Sequence, residues 1–252
     1  MALWPFGNRT YLDPDDEAWQ LETWRWFAEQ FGPVRDRALI TPSRKFFPPT
    51  ESNGEARVQH IFDCTKQLAG MSDWHCKLIA QPRRAELKVG DVTSLKAISH
   101  PPAGTFAFDG NEAVISYDPA GADDPLKLIA TFIHELAHYR LAAVRAEAPG
   151  GDDVHEYTTD LMTVYFGFGI FGANSAFNFS QYRDVMSQGW QYSRHGYLGE
   201  RGLIFALAIF LELKGQSSED ARPFLKAHLL ADLAKARKYL TRSGALAPLL
   251  AG

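Results

Sequence analysis

One segment constrains the fold more than any other. Asp124-Pro125 opens it, Pro149-Gly150-Gly151 closes it, and Leu126 to about Ala146 reads as one long helix between them. An Asp accepts hydrogen bonds from the free N–H groups of a helix start, and Pro is pre-set for the first turn. Leu128, Ile129, Phe132, Ile133, Leu136 and Ala137 leave little of this helix suited to water, so the chain must pack around it. Its middle nevertheless carries His134, Glu135 and His138. Buried polar groups are expensive without partners, so the fold has to bring partners to these three.

The spacing gives the reason for them. Residues four apart on a helix differ by about 40° in direction and about 6 Å in rise, so both imidazoles can reach one cation. Glu135 lies about 60° around from His138, near such a metal without being aimed at it. From there a carboxylate can take a proton from a metal-activated water. Chance would produce H-E-x-x-H in roughly one chain in eighty of this composition. The plain alternative is a pair of core histidines held by ordinary hydrogen bonds. A catalytic zinc takes three protein ligands and keeps a fourth position open, so the third must come from another element. The next helix, expected from about Val154 to Phe168 with Asp152 and Asp153 as caps, opens His155-Glu156-Tyr157-Thr158-Thr159-Asp160. Glu156 and Asp160 share one face, so Glu156 can bind metal while Asp160 orients an imidazole through its other nitrogen. His155 is the rival ligand. Thr159, not an acid, stands four residues beyond it, which favours Glu156.

From Leu126 to Phe168 the sequence resembles the gluzincin metallopeptidases, in which H-E-x-x-H is followed by E-x-x-x-D on a second helix. It is most similar to their compact, single-chain members. The resemblance implies a zincin-like fold, a Zn2+ cofactor held by His134, His138 and Glu156, Glu135 as general base and Asp160 behind a ligand. It also implies a peptide or protein substrate bound along a strand edge upstream, and an oxyanion donor downstream. Tyr192-Ser193-Arg194-His195-Gly196-Tyr197 gathers the usual donor types; His195 is the first candidate, with Tyr197 and Arg194 behind it. Only seventeen residues separate His138 from Glu156, compact for this group. The plan H-E-x-x-H-x-x-G-x-x-H is excluded, because Leu141 and Val144 stand where Gly and His belong. The expected activity is zinc-dependent peptide hydrolysis. The other class is a regulatory or binding protein of the same fold with structural or latent zinc.

The remaining pattern predicts an α+β protein, with a small mixed or antiparallel sheet in the N-terminal half packed on this helix and a mostly helical C-terminal half. Residues 1–120 and 121–252 are expected as two subdomains of one catalytic unit. Asp13, Pro14 and the stop Gly32-Pro33 frame a first helix whose Leu21, Trp24, Phe27 and Phe31 form a core-facing stripe. Thr41 to Pro49 should be irregular, and Glu55 to Ala69 helical up to Gly70. Trp74 to Ala80 and, more weakly, Lys88 to Ile98 read as strands. Phe106 to Phe108 and Ala113 to Tyr117 form a hairpin through Asp109-Gly110-Asn111-Glu112. Further helices should begin near Glu200, Ser218 and His228.

Charge and hydropathy exclude other classes. With 26 Lys and Arg against 30 Asp and Glu, net −4, no broad basic surface for nucleic acid is expected. The N-terminal residues lack the basic and apolar runs of a signal peptide, and two cysteines make no disulfide framework, so a cytoplasmic protein is expected. Leu161 to Tyr182 carries no formal charge, but its three glycines and crowded Asn, Ser and Gln read as a buried helix running into a polar loop rather than a membrane span. The run LIFALAIFL has nine residues, too few to span a bilayer.

Overall fold

The computed structural model describes residues 10–82, 104–109, 112–181 and 198–250. Helix α1, Pro14–Phe31, begins where the sequence predicts, with the Asp13 carboxylate accepting from the Asp15 N–H at 3.1 Å. Gly32 ends it at φ 84°, a positive angle that glycine adopts without strain. Trp24 and Phe27 of its stripe are fully buried, while Leu21 and Phe31 pack half-buried on the core. Residues 42–47 form irregular turns, and α2 follows as Gly54–Leu68, burying Val58, Ile61 and Phe62.

Three strands make a mixed sheet: β1, Cys76–Ala80; β2, Gly104–Asp109; and β3, Glu112–Tyr117. Their order is β1-β3-β2, with β3 parallel to β1 and antiparallel to β2. The hairpin register pairs Asp109 with Glu112 and Phe106 with Ile115. Residues Gly110 and Asn111 of its turn, and the strand expected at Lys88 to Ile98, lie outside the described residues.

Helix α3, Pro125–Ala142, is the shared wall of the molecule. Asp124 caps it, accepting from the N–H groups of Leu126 at 3.0 Å and Lys127 at 3.1 Å. It packs on α2, β2 and β3 on one side. Its other neighbours are α4, His155–Tyr165, and α5, Gly169–Gln181. Phe132, Ile133, Leu136 and Ala137 are completely enclosed, each large side chain contributing roughly 1.5–3 kcal/mol of apolar burial. The helix stops four residues short of the expected Ala146, at a cap on Ala143.

Three expectations need correction. Helix α4 spans Tyr165 rather than Phe168 at its end, and Asp152 and Asp153 lie in a short 3-10 turn, Gly151–Val154, instead of capping it. The glycine- and asparagine-rich stretch after Phe168, expected to be a loop, forms α5. Ile170, Phe171 and Ala173 are buried there, and Gly169 lets the helix lie close to Val164 and Leu207, where a Cβ would stand 3.0 and 3.1 Å from their side chains. Tertiary packing thus outweighs weak local propensity. Near Ser218 there are only the short turns Ser218–Asp220 and Arg222–Phe224. Helix α6, Glu200–Lys214, buries the whole LIFALAIFL run; α7, Ala227–Ser243, and α8, Ala247–Leu250, complete the chain. Among the described residues no helix is long and apolar enough to cross a membrane.

Candidate metal centre

The α3–α4 contact brings His134, His138 and Glu156 together, the one group of metal-ligating side chains this compact among the described residues. The two Nε2 atoms are 3.0 Å apart. Glu156 Oε2 lies 3.3 Å from His134 Nε2 and 3.6 Å from His138 Nε2. Donors about 2.0–2.1 Å from a tetrahedral ion stand about 3.3–3.4 Å from one another, so these three edges fit one face of such a site. Two imidazoles and a carboxylate suit a borderline ion such as zinc.

Hydrogen bonds behind the ligands set their tautomers. His134 Nδ1 is 3.0 Å from Asp160 Oδ1, and a carboxylate can only accept, so this nitrogen carries a proton and Nε2 is the atom turned to the centre. Asp160, itself buried, accepts through Oδ2 from the Leu198 N–H at 2.7 Å. Behind His138, Thr159 donates to the His155 carbonyl at 2.9 Å, which leaves its oxygen to accept from His138 Nδ1 at 3.3 Å. His155 Nε2 stands 3.1 Å from the same His138 Nδ1. The rival ligand therefore sits behind His138, on the nitrogen turned away from Glu156.

The electrostatics match a cluster that wants a cation. Burial pushes His134 down, but hydrogen bonds to Asp160 and Glu156 and nearby carboxylate charge outweigh it and raise its pKa to about 10. Hydrogen bonds to His134 and His138 hold Glu156 well below the usual carboxylate range. His155 is pushed down, first by burial and then by the neighbouring His138. Glu135 takes the opposite course: burial, with the charge of Glu156, lifts it to about 7, despite His134 and a hydrogen bond from the Phe106 backbone.

Strand β2 lies close against α3 at this point. A Cβ added to Gly104 would meet Thr131 Cγ2 at 2.5 Å, the Ser116 carbonyl oxygen at 2.8 Å and Glu135 Cγ at 3.2 Å. Only a residue without a side chain lets the strand press this closely on α3 beside Glu135.

His195, Tyr197 and Arg194 lie outside the described residues. Two other described histidines have separate partners: His60 with the Pro48 carbonyl at 3.0 Å, and His228 with Glu200 at 3.2 Å. Cys64 and Cys76 are free thiols, both pushed up first by burial. Sequence reasoning missed Thr159 as an acceptor, although its place four residues after His155 on a helix was visible. It also missed Leu198, whose contribution is a backbone N–H that no side-chain pattern announces. No family model, curated protein or solved structure matches the chain.

Proposed function

We propose that this chain is a zinc-dependent metallopeptidase of the compact gluzincin type, built on a zincin-like fold. The observation that carries the reading is the pairing of a three-donor face, edges 3.0, 3.3 and 3.6 Å, with a buried carboxylate beside it. His134, His138 and Glu156 would hold the zinc. Bound there, the metal supplies a Lewis acid for a carbonyl oxygen and lowers the pKa of water towards ~7.

The chain's own groups do the rest. Glu135, buried beside the centre, accepts a proton and passes it to the leaving amine. Asp160 fixes the His134 ring and its tautomer, while Thr159 does the same for His138. Strand β2, at the edge of the sheet among the described residues, offers backbone groups to an extended peptide. His195 is the side chain this reading assigns to the oxyanion, with Tyr197 and Arg194 in reserve.

The test joins zinc stoichiometry to digestion of a broad peptide library, with and without chelator. One zinc per chain and cleavage that disappears with chelator and in Glu135→Gln are expected. Stoichiometric zinc with no cleavage of any peptide would overturn the reading in favour of a structural or latent site.

A further inference from the structure

Beside the metal centre three aromatic rings form a continuous wall. Phe106 and Phe108 are two residues apart on β2, so both project from the face turned towards α3. Phe106 stacks on Tyr139, with centroids 5.2 Å apart and planes 24° apart. Phe108 meets Phe106 edge-on at 5.2 Å and Tyr139 at 5.9 Å. Trp74 supports the far side of Tyr139 at 4.7 Å, and the Tyr139 hydroxyl donates to the His75 carbonyl at 3.1 Å. These contacts hold the rings ready before anything binds.

Two features set the wall apart from ordinary core. Phe108 is 58% exposed on a strand whose only partner among the described residues is β3, a place where natural sheets put charge or Pro. The wall also begins next to the candidate base, because Gly104, two residues before Phe106 on β2, lies against Glu135. Along α3, Gly104 lies against Thr131 and Glu135, whereas Phe106 and Phe108 lie against Tyr139. Strand and helix therefore run in the same direction past the metal site.

We infer that Phe106, Phe108 and Tyr139 form a subsite for a bulky aromatic or aliphatic side chain of an extended peptide, on the N-terminal side of the bond cut. This rests on the peptidase reading. An antiparallel partner on β2, the pairing that is more stable per residue, brings its N-terminal residues to the Phe108 end. The rings offer apolar area and edge-to-face partners, with the charge of Arg140 turned onto Trp74 at 4.9 Å instead.

Two arms test it on the full chain loaded with zinc. Library digestion by wild type should enrich Phe, Tyr, Leu or Met N-terminal to the cut by about tenfold over Ala, as apolar pockets discriminate. Phe108→Ala should erase the enrichment and Phe108→Leu restore part of it. In the second arm, anisotropy with a fluorescent peptide carrying Phe on that side should show Glu135→Gln binding it about tenfold tighter than its Ala analogue. The added Phe108→Ala change should remove the difference.

Cleavage without this preference, or with it only on the C-terminal side, overturns the subsite and leaves the peptidase reading standing. Binding preference without cleavage sustains the subsite and sinks hydrolysis. Neither binding nor cleavage removes both. A concentration-dependent dimer that Phe108→Ala dissolves assigns the wall to a second copy and overturns the inference.

Discussion

Asp160→Asn separates two demands that one carboxylate now meets together. Both Asp160 oxygens accept, one from His134 Nδ1–H at 3.0 Å and the other from the Leu198 N–H at 2.7 Å. Asparagine has the same shape but a single acceptor oxygen. If that oxygen stays with Leu198, the amide NH2 faces His134 Nδ1 and drives the ring proton to Nε2, where it occupies the metal's direction. If it stays with His134, the Leu198 N–H loses its acceptor. An unsatisfied buried donor costs about 1–3 kcal/mol, and loss of a partner behind a metal-bound imidazole typically lowers affinity by about 10–100-fold. The expected loss of zinc affinity is therefore about 10–100-fold, read by competition with a chromophoric chelator at fixed pH, with circular dichroism confirming the fold. An affinity within about threefold of wild type would show that His134 is not oriented this way and refute the reasoning.

Four further outcomes follow from the geometry. Glu135→Gln should retain zinc but lose about 10²–10⁴ in kcat/KM, whereas His134→Ala should lose both metal and cleavage, measured by metal analysis and peptide hydrolysis. Zinc binding requires His134 to release the proton held with a pKa of about 10, so apparent affinity should rise about tenfold per pH unit from pH 7 to 9; a flat profile by chelator competition would contradict the ligand assignment. In metal-free protein, His134 and Glu135 are both raised above their ordinary values of 6.5 and 4.5, to about 10 and about 7. Each contributes stability that is full below its ordinary pKa and is lost as pH rises through its folded one, so urea midpoints should fall between pH 5 and 10, and less steeply in His134→Ala. Gly104→Ala should lift β2 from α3 and cost about 1–3 kcal/mol, seen as a lower Tm together with weaker hydrolysis.

Local signals carried much of this structure. Asp13-Pro14 and Asp124-Pro125 mark the starts of α1 and α3 to the residue, because capping is settled within one turn. The i and i+4 spacing of Glu156 and Asp160 put one on the ligand face and the other on His134, since helix geometry alone fixes that relation. What escaped depends on distant chain. The helical state of α5 comes from burial against α3, α4 and α6, while its glycines and asparagines argue locally for a loop. The parallel pairing of β1 with β3 joins segments more than thirty residues apart, and no periodicity within either strand reports its partner. The contact of His155 with His138 likewise arises from how α3 and α4 cross.

All three donors lie within the 23 residues from His134 to Glu156. Closing so short a loop costs little chain entropy, and the two imidazoles can meet an ion on a single turn of nascent helix. Under the proposed function, an unfolded or newly made chain would capture zinc before the rest has assembled. That early capture would favour formation of α3, and part of the metal's affinity would then be common to both states. Zinc should then speed folding more than it raises the melting temperature.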